Sequence, residues 1–181
     1  YGIHLDQKIQ NLSASAPDVE WLQYGPPSLR VDRSRYMDRR RFRFGWELND
    51  EFDPNHAAPI QSSEFLYEYA DAAKVGSEPL WPTTETSEDG LKLSWFASTN
   101  RYFALAVHPN INDEGVGPRL LNNTVQVITA QTSGVDSDEF ILTALWAPRT
   151  SIAANQTLDL TMGVYAGPLK RSVLDNVQPY V

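Results

Sequence analysis

The stretch "LKLSWFASTNRYFALAVHP", residues 91–109, decides the fold class of this 181-residue chain. Leu91, Leu93 and Trp95 stand at alternate positions, as they do in a strand with one buried face. Residues 98–100 are Ser-Thr-Asn, which favour turns, and residues 102–107 form an apolar run that stops at a proline. The pattern predicts two strands joined by a tight bend, with Trp95 and the apolar run, including Phe103 and Leu105, in the interior.

Further strands are predicted on both sides of this pair. From Arg41 onward, aromatic and aliphatic residues alternate with charged residues and a glycine, which indicates a half-buried strand with a charged outer face. Three more strands are predicted at 123–132, 139–148 and 156–167, with Trp146 and Tyr165 buried. The segment 62–74 fits a helix, although its alternation also fits a strand. Many strands with almost no helix between them predict an antiparallel β-sandwich.

The segment "LTMGVYAGPLKRSVLDNV", residues 160–177, changes its period near the end of the chain. It alternates like a strand as far as Tyr165, and a Gly-Pro pair then interrupts the pattern. Proline is well tolerated in the first turn of a helix, so the sequence predicts a short C-terminal helix that begins at Pro168. An apolar stripe on that helix is predicted to pack on the sandwich; its members are Leu169, Val173, Leu174 and Val177.

Composition excludes several classes of protein. Hydrophobic residues make up 41% of the chain and charged residues 21%, so the chain is expected to fold. It contains no cysteine, which excludes disulfides and thiolate metal sites, and no apolar run of membrane-spanning length. The start lacks the pattern of a signal peptide, so we expect either a mature chain or a piece of a longer one.

Charge is distributed unevenly along the chain. The net charge is −8, yet seven of the eleven arginines fall within 30–43. We interpret most of this cluster as the outer face of a strand, with an anion site as the alternative. The acidic remainder should repel nucleic acid, so no nucleic-acid partner is predicted.

A search for catalytic and metal-binding motifs finds none. The nucleophile elbow, the phosphate-binding loop and the zinc-protease motif are absent, and the three histidines are not at metal-ligand spacing. No catalytic residue, metal or cofactor is therefore predicted. Exposed tryptophans such as Trp21 or Trp81 could stack on sugars. Composition and pattern alone indicate an acidic, mostly-β domain without a visible active site.

Two segments resemble the periplasmic domain of the YidC family of bacterial membrane protein insertases. In residues 94–109 the similarity rests on a Trp strand followed by a Tyr-Phe pair, small residues and a proline. The residues concerned are Trp95, Tyr102, Phe103, Ala104, Ala106 and Pro109. In residues 160–177 it rests on the strand, the element Tyr165–Pro168 with Gly167, and the amphipathic helix. The similarity covers roughly residues 90–181. Residues 1–89 resemble the family domain only in being rich in strands and loops.

This resemblance implies a fold, a location and a set of partners. It implies a β-supersandwich similar to galactose mutarotase, forming one domain over 1–181 that is excised from a longer inner-membrane protein and faces the periplasm. It further implies a non-enzymatic interaction or scaffold role in the insertion and folding of membrane proteins. The expected partners are the transmembrane insertase core, Sec translocon components and nascent membrane proteins.

The resemblance also assigns roles to residues. The stripe Leu169, Val173, Leu174 and Val177 would dock on the membrane core, and Trp95, Tyr102, Phe103, Gly167 and Pro168 would be structural. Two other interpretations remain open. One is a carbohydrate-binding or carbohydrate-modifying sandwich of the cell envelope, and the other is an adhesion or assembly module.

Overall fold

The computed structural model describes residues 2–30, 40–48, 59–62, 79–110, 117–133, 138–174 and 177. Strands dominate these ranges, and the helices are short. The strands are β1 (Gly2–Leu5), β2 (Lys8–Gln10), β3 (Asp18–Val19), β4 (Leu22–Tyr24), β5 (Arg41–Leu48), β6 (Ile60–Ser62), β7 (Leu91–Thr99), β8 (Phe103–Pro109), β9 (Thr124–Ser133), β10 (Asp138–Trp146), β11 (Thr150–Ser151), β12 (Thr157–Asp159) and β13 (Met162–Pro168). The helices are α1 (Thr84–Glu88) and α2 (Arg171–Leu174).

The strands form two main antiparallel sheets. The larger has six strands in the order β1-β13-β8-β7-β5-β6, and the smaller has three in the order β4-β10-β9. Two short ribbons, β11-β3 and β12-β2, are also present. The predicted strand pair of 91–109 is present as β7 and β8, with Phe96 opposite Val107. The predicted antiparallel, mostly-β fold class is confirmed.

The main core lies between these two sheets. The larger sheet contributes bulky side chains from four neighbouring strands, and the smaller sheet contributes aliphatic ones. The members from the sheets are Phe42, Phe44, Leu93, Phe96, Val107, Met162, Val125, Val127, Ile141 and Leu145. Phe96 stacks on Phe44 with ring centroids 5.3 Å apart, and Phe44 stacks on Trp81 at 5.4 Å. This arrangement is the predicted sandwich.

A β-bulge in β7 changes the predicted alternation. Gly45 pairs with Trp95, but the next residue of β5, Trp46, pairs with Leu93, so Ser94 is the extra residue. Leu93 therefore points into the main core while Trp95 points to the opposite face of the sheet. The prediction that both lie on one face was wrong, because a period of two cannot anticipate an inserted residue.

The predicted strand at 156–167 is in fact two strands. β12 pairs with β2, whereas β13 lies between β1 and β8 in the larger sheet. The break occurs where the backbone N–H of Thr161 donates to the Asp159 carboxylate at 2.9 Å, and where Leu160 donates to the Gln7 carbonyl. A side chain that satisfies its neighbour's backbone in this way competes with strand pairing.

Several predictions fall outside the described residues. These are the helix candidate at 62–74 beyond Ser62 and positions 31–39 of the arginine cluster. Within the described ranges, no helix has the length and apolar character needed to cross a bilayer.

Candidate functional site

A second buried cluster lies on the outer face of the larger sheet, opposite the main core. It contains two aromatic residues and three alanines from the adjacent strands β7, β8 and β13. The members are Trp95, Ala97, Ala104, Ala106 and Tyr165. In this cluster Ala97 pairs with Ala106, and Ala106 pairs with Tyr165. Small side chains in adjacent strands leave a shallow floor, and we refer to these five residues as the outer cluster.

Glycines let the rings of the outer face lie close to the sheet. A Cβ atom on Gly45 would overlap the indole of Trp95, so the ring lies directly over the β5 backbone. In the same way, a Cβ on Gly163 would overlap the imidazole of His108. Both are close approaches that only glycine permits.

At the end of β13 the chain stays hydrogen-bonded to the start of β8 and does not begin a helix at Pro168. Pro168 pairs with Phe103, and the N–H of Leu169 donates to the Tyr102 carbonyl at 2.6 Å. The Tyr165 hydroxyl donates to the Pro168 carbonyl at 2.7 Å. The helix begins at Arg171, so the predicted start at Pro168 was wrong. Among the described residues β1 pairs with β13 up to Tyr165 and β8 is the strand described beside Pro168, a position near a sheet edge where a missing N–H is tolerated.

The apolar stripe behind Pro168 packs on the outer cluster. Val173, Leu174 and Val177 are partly buried against it. Leu169 is 37% exposed, although it lines the same groove. The groove has a volume of about 200 Å³ and runs between the outer cluster and the start of α2; its other walls are Arg43, Ile60, Thr99 and Leu174.

The predicted family-motif residues lie in two different environments. Trp95 and Tyr165 are buried in the outer cluster, while Gly167 lies half-buried on β13. Phe103, in contrast, is 53% exposed, so its predicted burial was wrong. It opens β8 at the end of the sheet, beyond the reach of the smaller sheet. Tyr102 beside it is 51% exposed.

Two further burial predictions were too strong. Leu105 and Trp146 are half-buried. Each lies on a strand with a covered face, but alternation alone does not show how far the opposing layer extends along the strand.

The groove carries a cation at one wall. The Arg43 Nε donates to the Thr99 hydroxyl at 3.3 Å. Burial lowers the pKa of Arg43, and the neighbouring charge of Arg41 lowers it further. The guanidinium of arginine stays protonated in proteins at neutral pH. The groove therefore presents an apolar floor with one fixed positive charge.

Two features of the outer face escaped the sequence analysis. Glu47 was predicted to be on a solvated face, but it is 5% exposed and forms an ion pair with Arg119. Its partner lies 72 residues away, so no local pattern signals it. His108, directly before the proline that ends the apolar run, is 3% exposed, with its Nδ1 2.8 Å from the Pro109 carbonyl oxygen. Burial lowers the pKa of His108.

The two tryptophans considered for sugar stacking differ in position. Trp81 is 2% exposed within the main core, so it is not available to a ligand. Trp21 is half-buried and lines a cavity of about 240 Å³ together with Arg119, Asn122 and Asp159. Across the described residues no group of three metal-ligating side chains comes together.

Comparison with known proteins gives one match. The family model of the YidC periplasmic domain matches residues 1–181, which is the whole chain. The matched range includes the first half, which in the sequence analysis resembled the family only in being rich in strands and loops. No curated protein matches the chain significantly. The match covers every residue of the chain, and a match over more than half of a chain identifies its family. The chain therefore belongs to the YidC periplasmic domain family.

Proposed function

We propose that this chain is a non-enzymatic scaffold domain of a membrane protein insertase, and that it assists the insertion and folding of inner-membrane proteins. It would form one periplasmic domain of a longer inner-membrane protein. The observation that carries this proposal is the family match over the whole length. Its partners would be the insertase core, with Sec translocon components and nascent membrane proteins as further candidates, and no nucleic acid.

The C-terminal segment is the element best suited to this role. Hydrogen bonds fix its course, among them those donated by the Tyr165 hydroxyl, the Leu169 N–H and the Val173 N–H. Val173 and Val177 anchor it on the outer cluster. A segment held in this way has a defined direction, which a flexible polar tether would lack. We propose that Leu169, Val173, Leu174 and Val177 orient the sandwich relative to the membrane core.

The test uses the full-length insertase and a reporter membrane protein whose insertion is followed by protease protection. One variant carries Val173→Ser with Val177→Ser. A matched variant carries Val107→Ala, which removes a buried side chain from the main core and destabilises the sandwich without touching the segment.

When the two variants are compared at equal thermal stability, the variant with Val173→Ser and Val177→Ser should insert the reporter several-fold less well than the Val107→Ala variant. If both variants insert the reporter equally well, the segment is only a linker. If a chain lacking the whole domain also inserts every reporter normally, the proposed assisting role is wrong.

A further inference from the structure

Exposed apolar side chains gather at one end of the larger sheet, where β7 turns into β8 and β13 ends. Tyr102 is 51% exposed, Phe103 53% and Leu169 37%. A backbone hydrogen bond joins Leu169 to Tyr102, and Pro168 lies opposite Phe103 in the ladder. We refer to Tyr102, Phe103 and Leu169 as the end patch. Phe103 lies on the face of β8 that bears Val107 and the main core, whereas Leu169 lines the groove of the outer face, so exposed apolar side chains border this end of the sheet on both of its faces.

The end patch is held rigidly. The Asn100 side-chain oxygen accepts from the N–H groups of Tyr102 at 2.9 Å and Phe103 at 2.8 Å. The Asn100 N–H donates to the Phe103 carbonyl at 3.0 Å, which closes the turn. The aromatic side chains therefore protrude from a fixed turn, and little conformational freedom is lost when they bind.

Basic residues surround the end patch. Arg101 precedes it with its guanidinium 5.5 Å from the centre of the Tyr102 ring, and Lys170 and Arg171 follow it, both exposed. The Asn100 amide also donates to the Arg30 carbonyl, which brings a further arginine to this end. These cations belong to a chain whose net charge is −8.

The opposite end of β7 carries mainly negative charge. β7 begins at Leu91, shortly after α1, which contains Glu85 and Glu88 and has Asp89 as its C-cap; these three acids outnumber the neighbouring cation Lys92, whose Nζ donates to the Asn122 side chain. A nine-residue strand separates the two ends by about 27 Å at the usual rise per residue. The domain is thus polarised along the sheet, with an apolar and basic end opposite an acidic one.

We propose that the end patch and its cations dock on the surface of a bilayer that contains anionic phospholipid. Tyrosine and phenylalanine enter the headgroup region, and arginine and lysine reach the phosphates with their charged ends while their stems remain near apolar surface. Basic residues near an anionic bilayer add attraction that decays within a Debye length. The anionic bilayer repels the acidic end of the same domain, so the charge difference between the two ends gives the domain one orientation on the membrane.

Docking on lipid is an activity separate from the proposed scaffold role, and it can be tested with the chain and lipid vesicles alone. The chain is sedimented with phosphatidylcholine vesicles that contain either no phosphatidylglycerol or about 30% of it. We expect binding to the anionic vesicles, weak binding to the neutral ones, and a steep loss when salt is raised to about 0.5 M.

Two sets of variants test the assignment of the surface. Tyr102→Ser with Phe103→Ser, and separately Lys170→Gln with Arg171→Gln, should each weaken vesicle binding on the order of tenfold. The matched controls carry Tyr24→Ser with Phe140→Ser, which are exposed aromatics of the smaller sheet, and Lys8→Gln with Arg149→Gln. The controls should bind as the unchanged chain does.

The outcomes separate membrane docking from its alternatives. Absence of binding by the unchanged chain, or equal loss in patch and control variants, overturns the inference. If the patch variants bind vesicles normally but no longer co-purify with the insertase core, the end patch is a protein interface and the inference is wrong. None of these results contradicts the scaffold role, which depends on reporter insertion by the full-length protein.

Discussion

The two faces of the larger sheet are covered in different ways. Its inner face holds Phe42, Phe44 and Phe96, all essentially inaccessible, and a second sheet covers it. Its outer face holds glycines, alanines and two aromatic rings, and the covering that the structure describes is a short C-terminal segment. The comparison shows that one sheet serves two purposes. Bulky side chains stabilise the sandwich on one side, while on the other side small side chains leave room for the C-terminal segment to pack on the sheet.

The largest expected effect comes from the inner face. Phe96→Ala removes a ring that stacks on Phe44 and contacts Phe42, so it should lower the free energy of unfolding by about 3–5 kcal/mol. Urea denaturation of the chain measures this loss. A cost under about 1 kcal/mol would show that the inner face is not the main source of stability.

The next effect tests the close approach on the outer face. Gly45→Ala places a methyl group within the indole of Trp95 and should destabilise by about 1–3 kcal/mol through overpacking. Gly2→Ala is the control, because a Cβ there meets nothing within 4 Å. Combining Gly45→Ala with Trp95→Leu should cost less than the sum of the two single changes. Simple additivity would mean that the ring does not lie over Gly45.

A smaller effect is expected in the C-terminal segment. Val173→Ala removes a partly buried side chain from the outer cluster and should cost about 1 kcal/mol. Leu12→Ala is the control, since Leu12 is 81% exposed, and its effect should be within about 0.5 kcal/mol of zero. Equal effects of both changes in a thermal melt would show that the stripe does not contribute to the fold.

The smallest effect is the pH dependence that comes from His108. Its pKa lies below the ordinary 6.5 because burial disfavours the charged form; the nearby His4 lowers it further, although the Pro109 carbonyl raises it. The unfolded chain therefore binds the proton more readily, and stability should fall as pH decreases below about 6.5, by less than about 1.4 kcal/mol per pH unit. His108→Gln should flatten the stability profile between about pH 7.5 and 5.5. An unchanged slope would exclude His108 as its source.

The local sequence pattern was sufficient to predict the strands, but it did not predict which face some side chains occupy or which residues they contact. Alternation predicted β5, β7 and β10 because each has one face toward the main core. It could not anticipate the extra residue at Ser94, which reverses the direction of Trp95 relative to Leu93. It also could not find the partner of Glu47, because Arg119 comes from a distant loop.

The candidate site was predicted in part. The apolar stripe of Val173, Leu174 and Val177 is visible in the sequence, and the structure places these residues on the outer cluster. The start of the helix was misplaced, since the hydrogen bond from Leu169 to Tyr102 extends the strand arrangement past the proline. The exposure of Phe103 depends on where the opposing sheet stops, which is a property of the assembled fold.

The pairing of β1 with β13 has a mechanical consequence. Gly2 lies opposite Tyr165, and the two strands run in opposite directions, so the start of β1 and the end of β13 are at the same end of the sheet. Tension applied between Gly2 and Pro168 would load the hydrogen bonds of this ladder one after another, as in a zipper, instead of shearing them all together. The β1–β13 ladder has four residue pairs and the β13–β8 ladder has seven, so β1 should peel away before β13 separates from β8 and from the phenylalanine core beneath it.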